Sequence, residues 1–229
     1  MKPNIIVIVP AYNEEQSVGK VIDDIPKDLV TEIIVINNNS SDKTPLVALE
    51  HGATVLDETQ MGYGHACLKG IQYAANKNAR PDIIVFLDGD YSDHPEQMRD
   101  IVKPIIEYDM DMVIGSRNLG QAQDGALLPQ QVFGNWLATT LIRILYGMKF
   151  TDLGPFRAIK FDKLIELHMT DKTYGWTVEM QIKAAKRKYK CAEVPVDYRK
   201  RIGVSKITGT VNGSFKAGHK ILWTIFKYL

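Results

Sequence analysis

Short runs of β-branched and other apolar residues alternate with segments of helical periodicity, and this alternation constrains the fold more than any other feature. The runs cover residues 5–9, 33–36, 53–56, 83–87 and 112–114. Continuous apolar runs are typical of strands that are buried on both faces. Helices between successive strands favour a parallel sheet. The spacing therefore predicts an α/β fold, with a mostly parallel sheet flanked by helices in a single domain.

The second half of the chain has a less regular pattern. Residues 118–129 combine glutamine, glycine and aspartate and predict a loop, whereas the apolar segment 133–146 predicts a helix that ends at Gly147. No linker separates the two halves. We therefore expect one domain over residues 1–211, with functional halves at 1–117 and 118–211, and an amphipathic helix over 212–229.

Composition and charge exclude several classes of protein. The chain has 229 residues and a formal net charge of +1, so it lacks the broad basic field of a nucleic-acid-binding protein. Its two cysteines, Cys67 and Cys191, are far apart and indicate a reducing compartment rather than a disulfide scaffold. No apolar run approaches the ~18 residues that cross a bilayer, and the N-terminal run is too short for a signal peptide. We therefore expect a cytoplasmic protein.

Two aspartates follow the fourth apolar run and form the strongest candidate site. Asp88 and Asp90 flank Gly89 at the point where that strand would end. Ligands of open α/β sheets bind at the carboxyl ends of the strands, and two carboxylates there suit a hard divalent cation that carries phosphates. The alternative is a polar turn that only ends the strand. The other predicted strands also end in polar residues along this edge, which favours the metal site.

Charged side chains in the predicted loops supply further candidates. Arg117, Arg201 and Lys206 could contact phosphate groups, or they could be solubilising surface charge. Asp152 and Glu179 could each be a catalytic carboxylate, or each could pair with a local group. The residue types alone leave these alternatives open.

Two other segments resemble nucleotide-binding sequences only in part. Glu14 follows the first strand and could face a nucleoside, or it could be an acidic residue in the first turn of a helix. Gly62 and Gly64 match half of a dinucleotide-binding fingerprint, but Cys67 takes the place of its third glycine. These glycines carry no phosphate-binding prediction by themselves.

The C-terminal segment has an amphipathic pattern. Phe215, Leu222, Ile225 and Leu229 recur at near-helical spacing among lysines. Such a helix can lie in a membrane interface, or it can pack on the body of the protein or on a second subunit. We therefore expect either association with the inner face of a membrane or a contact within the protein or a homo-oligomer.

A series of short motifs runs through about residues 4–210. In order they are Val-Pro-Ala-Tyr-Asn-Glu-Glu (9–15), Asn-Asn-Asn-Ser-Ser-Asp (37–42), Gly-Tyr-Gly-His-Ala (62–66), Asp-Gly-Asp (88–90), Gly-Ser-Arg (115–117), Asp-Leu-Gly-Pro-Phe-Arg (152–157) and Arg-x-Gly-x-Ser-Lys (201–206). Together they resemble glycosyltransferase family 2, and within it the dolichyl-phosphate mannose synthase and polyprenyl-phosphate hexosyltransferase group.

This resemblance implies a Rossmann-like nucleotide-sugar fold of the GT-A type and an inverting, metal-dependent transfer of a hexose from UDP-glucose or GDP-mannose. It implies Mg²⁺ or Mn²⁺ at Asp88 and Asp90 in the first half of the chain. It makes Arg117, which ends the first half, and Asp152 and Glu179 of the acceptor half the catalytic residues. The residues that it implies for nucleotide-sugar binding are Pro10, Ala11, Tyr12, Glu14, Asn37, Asn39, Gly62, Asp88, Gly89, Arg201 and Lys206.

Departures from the family pattern leave the substrates open. Asn37 and Asn38 stand where the family usually has an aspartate that faces the base, so the base of the donor is not fixed. No arginine occurs between Arg117 and Arg143, where many lipid-phosphate members carry one. The acceptor is therefore a polyprenyl or dolichyl phosphate, which needs no strong base, or a glycan or small molecule, whose hydroxyl would need one. A nucleotide-sugar-binding module without turnover is the alternative outside the enzymes.

Overall fold

The centre of the protein is a seven-stranded sheet, and the computed structural model describes residues 2–203 and 211–229 around it. The strands are β1 (Ile5–Ala11), β2 (Glu32–Asn37), β3 (Thr54–Asp57), β4 (Ile83–Phe86), β5 (Met112–Ser116), β6 (Arg157–Lys160) and β7 (Cys191–Pro195). The helices are α1 (Val18–Asp24), α2 (Thr44–Glu50), α3 (Tyr63–Ala75), α4 (Met98–Tyr108), α5 (Pro129–Tyr146), α6 (Phe161–Glu166), α7 (Trp176–Lys186) and α8 (Val211–Lys227).

The strand order is β3-β2-β1-β4-β6-β5-β7. All neighbouring strands in it are parallel except that β6 runs antiparallel to both β4 and β5. This confirms the predicted single-domain α/β fold with a mostly parallel sheet. Because β6 is reversed, its first residue, Arg157, lies opposite Phe86 at the carboxyl end of β4. The segment before β6, which contains Asp152, therefore reaches the same edge of the sheet as Asp88.

Side chains of β1 alternate between two cores, which explains its unbroken apolar sequence. Ile6 and Ile8 pack on the face covered by α3, α5, α7 and α8. Val7 and Val9 pack on the face covered by α1, α2 and α4. All four side chains are completely buried, and burial of each contributes about 1.5–3 kcal/mol to stability. The end of β1 at Ala11 is therefore a rigid support for the loop that follows.

The second half of the chain differs from its prediction in detail. Helix α5 begins at Pro129 rather than at 133, since proline is favourable in the first turn of a helix. Strand β7 (Cys191–Pro195) and the short helix α6 complete this half. Strand β6 lies between β4 and β5, so the two predicted halves share one sheet. Among the described residues no helix is long and apolar enough to cross a bilayer.

Candidate active site

A pocket opens at the carboxyl ends of β1, β2 and β4, where the sequence predicted a site. Ala11 at the end of β1 pairs with Asn37 at the end of β2, and the Leu87 amide donates to the Ile8 carbonyl oxygen at 3.2 Å. The turn at 88–90 therefore leaves the sheet beside the end of β1. The pocket is lined by the predicted residues Pro10, Ala11, Tyr12, Glu14, Gly62, Asp88, Gly89, Asp90 and Arg201, and also by Asn38, Met61, Tyr63, Ala66, Thr173 and Tyr174.

Arg201 joins two acidic side chains of this pocket. Its Nη2 lies 2.7 Å from Oε1 of Glu14, and its Nη1 lies 3.1 Å from Oδ2 of Asp90. The other carboxylate oxygen of Asp90, Oδ1, accepts hydrogen bonds from the amide and the hydroxyl of Ser92 at 2.9 and 2.5 Å. Ser92 binds only Oδ1 of Asp90. Oδ2 can therefore bind a metal ion in place of Arg201 while the hydrogen bonds from Ser92 to Oδ1 remain.

Asp88 is half-buried, and one oxygen of its carboxylate is buried without a partner. Its Oδ1 has no hydrogen-bond partner in the part of the chain that the structure describes. Burial, followed by the nearby charge of Asp90, raises the pKa of Asp88 to about 7. Such an orphaned oxygen beside a second carboxylate fits a hard divalent cation. No cluster of three or more acidic, histidine or cysteine side chains within residues 2–203 and 211–229 could hold a metal by itself, so other ligands would come from substrate phosphate and water.

The raised pKa of Asp88 predicts a pH dependence of stability. Between about pH 4 and pH 7, the carboxyl group of Asp88 is protonated in the folded protein but already ionised in the unfolded chain. The ligand-free protein therefore loses stability as the pH rises through this window. Asp88→Asn is expected to remove the contribution of Asp88 to that decline, and so to make it shallower, and to stabilise the protein at pH 8 by about 1–3 kcal/mol. Thermal unfolding between pH 5 and pH 8 measures it.

Asp124→Asn is the control for this measurement, since Asp124 is exposed in the loop before α5. An equal change in the two variants would contradict the assignment of the pH dependence to Asp88.

Arg117 and Asp152 form a buried, bidentate ion pair. Nε and Nη2 of Arg117 lie 2.8 and 2.6 Å from the two oxygens of Asp152, and the Arg117 amide donates to Oδ2 at 2.9 Å. Burial alone would lower the pKa of Arg117, but the charge and hydrogen bonds of Asp152 outweigh burial and raise it. Tyr198 covers the guanidinium at 5.0 Å from its ring centroid. The charge of Arg117 thus balances that of Asp152, and both carboxylate oxygens of Asp152 accept hydrogen bonds from Arg117.

Asp93 is a candidate that the sequence analysis missed. Its side chain is 2% exposed, and neither carboxylate oxygen has a hydrogen-bond partner among the described residues. Burial and the charges of Asp88 and Asp90 raise its pKa well above the usual value, while Arg117 opposes that shift. Asp93 is therefore close enough to the aspartate pair and to the Arg117–Asp152 pair for their charges to act on it. The available signal was the spacing of three aspartates at 88, 90 and 93.

The prediction for the asparagines after β2 needs a correction by one residue. Asn38, not Asn37 or Asn39, lines the pocket. Asn37 is turned toward Asp57, to which its Nδ2 donates at 2.8 Å, and Asn39 is exposed. The reason is the alternation of side chains along an extended strand: Asn37 still pairs with Asp57 in the sheet, and Asn38 is the first residue free to point to the pocket.

Gly62 lines the pocket, but its amide is already used. It donates to Oδ1 of Asn38 at 2.8 Å, so it does not act as a phosphate-binding amide of a fingerprint loop. Gly62 has φ of +144°, and a Cβ there would lie 2.3 Å from the Lys172 carbonyl oxygen. A Cβ on Gly64 would lie 2.1 Å from the Asp171 carbonyl oxygen. The two glycines are therefore required for close packing of residues 171–172 against α3.

Glu179 does not lie in the pocket, which corrects its predicted role as a catalytic carboxylate. It is completely buried on α7, and its oxygens accept hydrogen bonds from Thr170, Asp171 and Tyr228 and pair with Lys183. A carboxylate enclosed in this way has no open path to an acceptor hydroxyl. The last predicted residue, Lys206, lies outside the described residues.

Comparison with known proteins identifies the class of this fold and site. The sequence model of glycosyl transferase family 2 matches residues 6–167. A dolichyl-phosphate hexose transferase of Haloferax volcanii is 30% identical over 214 residues, which cover 92% of this chain and 90% of the relative. An undecaprenyl-phosphate mannosyltransferase of Micrococcus luteus is 28% identical over 224 residues, which cover 91% of this chain and 89% of the relative.

A solved structure agrees with the observed fold. Glucosyl-3-phosphoglycerate synthase from Mycobacterium tuberculosis, crystallised with Mn²⁺, UDP and phosphoglyceric acid, superposes with a TM-score of 0.77 at 22% identity over 99% of this chain and 78% of that chain. Mn²⁺ is one of the two cofactors that the resemblance implied. The protein is a glycosyltransferase with a GT-A-type nucleotide-sugar fold. It belongs to glycosyl transferase family 2, as its motifs predicted.

Proposed function

We propose that the protein is a metal-dependent, inverting hexosyltransferase that moves a hexose from UDP-glucose or GDP-mannose to a polyprenyl or dolichyl phosphate. The observation that carries this proposal is the arrangement of Asp88, Asp90 and Arg201 in one pocket, with the Arg117–Asp152 pair close enough for Arg117 to act on the charge of Asp88. The first group suits a diphosphate and its cation. The second offers a guanidinium to an acceptor phosphate.

In the donor half, Pro10, Ala11, Tyr12 and Glu14 would hold the nucleoside, and Asp88 and Asp90 would hold Mg²⁺ or Mn²⁺. The cation would neutralise charge that develops on the leaving diphosphate. Arg201 pairs with Asp90 in the ligand-free protein. Once released from Asp90, its guanidinium is within the same pocket and can bind the diphosphate bidentately.

In the acceptor half, Arg117 would orient the acceptor phosphate. An oxygen of this phosphate attacks the anomeric carbon of the hexose while the bond from that carbon to the diphosphate breaks, so the configuration inverts and the nucleoside diphosphate leaves. A phosphate is ionised near neutral pH and needs no general base. This agrees with the engagement of both oxygens of Asp152 by Arg117, and catalysis then rests on positioning and charge neutralisation.

Exposed apolar side chains on α5 and α8 support docking at the inner face of a membrane. The helices touch, since the Tyr146 hydroxyl donates to the Ile225 carbonyl oxygen. Neither residues 129–150 nor residues 211–229 contain an acidic side chain, so both helices are compatible with an anionic lipid surface. We call this surface the α5/α8 face. Its exposed large apolar residues are Val132, Phe133, Trp136, Ile144, Phe215, Trp223, Phe226 and Leu229.

The test measures transfer of radiolabelled hexose from each donor to undecaprenyl phosphate and dolichyl phosphate, with Mn²⁺ present. The expected result is a lipid-extractable product that forms with one donor and disappears with EDTA. A matched pair of variants, Trp223→Ser on the α5/α8 face and Leu46→Ser on the exposed side of α2, separates membrane docking from general damage. Only Trp223→Ser should weaken sedimentation with anionic vesicles. Transfer to soluble acceptors with none to lipid phosphate would contradict the proposal.

A soluble hexosyltransferase is the second candidate. An alcohol acceptor needs a general base, and Asp152 is already paired with Arg117. Asp93, whose carboxylate has no hydrogen-bond partner among the described residues, would serve this role if binding of the acceptor opened a path to it. The neighbour of the same fold was crystallised with phosphoglyceric acid. Glycerate phosphates and simple glycans are therefore the acceptors to include beside the lipids. A binding module without turnover would release no nucleotide with any acceptor.

A further inference from the structure

Residues 168–175, here called the wall segment, connect the pocket to the C-terminal helix. Thr173 and Tyr174 of this segment line the pocket. Next to them, the Lys172 carbonyl oxygen accepts a hydrogen bond from the His65 amide at 3.2 Å. The Asp171 carbonyl oxygen lies so close to Gly64 that a Cβ there would be 2.1 Å away. The wall segment is therefore in close contact with the first turn of α3. A displacement of the wall segment would also displace that turn.

The other side of the wall segment is held by Glu179. Its Oε1 accepts from the Thr170 amide at 3.0 Å and from the Thr170 hydroxyl at 2.7 Å, and its Oε2 accepts from the Asp171 amide at 2.7 Å. Hydrogen bonds to a charged group are stronger than neutral ones. Glu179 thus fixes the backbone of the wall segment two residues before the pocket-lining Thr173.

The C-terminal helix joins the same network. The Tyr228 hydroxyl donates to Oε1 of Glu179 at 2.6 Å and lies 3.1 Å from the Thr170 hydroxyl. Lys220 pairs with Oδ2 of Asp171 at 2.9 Å, while Oδ1 of Asp171 accepts from the Thr173 amide at 2.8 Å. Asp171 therefore links α8, through Lys220, to the amide of the pocket residue Thr173.

The charges of this network are balanced. Lys183 lies 2.7 Å from Oε1 of Glu179, and it also donates to the His168 carbonyl oxygen at 2.6 Å. Although burial opposes ionisation, the hydrogen bonds from Lys183 and Tyr228 hold the pKa of Glu179 below its usual value. The carboxylate therefore stays charged and keeps its donors oriented at neutral pH.

We infer that Glu179 is a positioning residue for donor binding, through which the docking of α8 fixes the pocket wall formed by Thr173 and Tyr174. The inference rests on the proposed function in that the pocket binds the nucleotide-sugar donor. It predicts that loss of the contacts of α8 with Glu179 and Asp171 weakens donor binding more than it slows the chemical step, because Asp90 and Arg117 belong to other elements.

The test uses two tyrosines whose hydroxyls both hold α8. Tyr228→Phe removes the donor to Glu179, whereas Tyr146→Phe removes a hydrogen bond to the Ile225 carbonyl oxygen and leaves the bonds to Glu179 and Asp171 in place. Tyr228→Phe is expected to raise the donor KM and Kd about 3- to 10-fold while kcat stays within about twofold. Tyr146→Phe should change neither. Lys220→Met should act like Tyr228→Phe, since it removes the ion pair with Asp171.

Hydrogen exchange supplies a readout that does not need substrate. The amides of 170–175 should exchange faster in Tyr228→Phe and Lys220→Met than in Tyr146→Phe. Equal exchange in all three variants, or a loss of kcat without a rise in KM, would overturn the inference. If the wild-type protein binds no nucleotide sugar, the proposed function fails instead, and exchange alone still decides whether α8 controls the wall segment.

Discussion

Replacing Asp90 with asparagine is expected to lower kcat/KM for hexose transfer by about 10³-fold. The change removes a carboxylate charge from the pocket and places an amide in front of Arg201, which lies 3.1 Å away in the wild-type protein. Asparagine can still accept the hydrogen bonds from Ser92, so the turn at 88–90 should keep its shape. The measurement is transfer rate against Mn²⁺ concentration, and saturating metal should not restore the variant.

Asp124→Asn is the control for this loss, because its side chain is exposed and outside the pocket. It should transfer at the wild-type rate. An Asp90→Asn variant that retained more than about a tenth of the activity would show that the pair at 88 and 90 is not the centre of the chemistry.

Replacing Asp152 with asparagine is expected to have the largest effect on stability. Both oxygens of Asp152 pair with the guanidinium of Arg117. The variant leaves a charge without its counterion in a buried place, and breaking such a pair costs about 3–5 kcal/mol. For a chain of this size the melting temperature should fall by roughly 10 °C. Calorimetry at pH 7 measures the change.

A double variant separates the structural role of this pair from its role in transfer. Arg117→Met combined with Asp152→Leu leaves no charge unpaired, so most of the lost stability should return. Transfer should not return, because the guanidinium that would orient the acceptor phosphate is gone. A stable and active double variant would mean that the pair serves the fold alone.

The alternation of apolar runs was sufficient to predict the sheet, because strands buried on both faces leave a strong signal in residues such as Ile6 to Val9. The reversal of β6 left no such signal. The direction of β6 depends on the connection through α5. The path of that connection is set by packing against the sheet rather than by local sequence. This reversal brings Asp152 to the edge where Asp88 lies.

Most residues implied by the motifs line one pocket. The differences between prediction and structure concern side chains whose surroundings are set by the fold. Glu179 is engaged by Tyr228, which is 49 residues away. Asp93 stands out only because burial leaves its carboxylate without a partner among the described residues. The spacing of aspartates at 88, 90 and 93 is visible in the sequence, but the burial of Asp93 and the contact of Glu179 with Tyr228 depend on the fold.

In the proposed function, donor binding depends on a divalent metal that Asp90 holds. Calorimetric titration of UDP-glucose and GDP-mannose, with Mn²⁺ and with EDTA, tests it most directly on the wild-type protein and Asp90→Asn. One donor is expected to bind the wild-type protein only with Mn²⁺, and Asp90→Asn is expected to bind it no better with metal than without. Binding that is equally tight in EDTA, or a metal response that persists in Asp90→Asn, would contradict it.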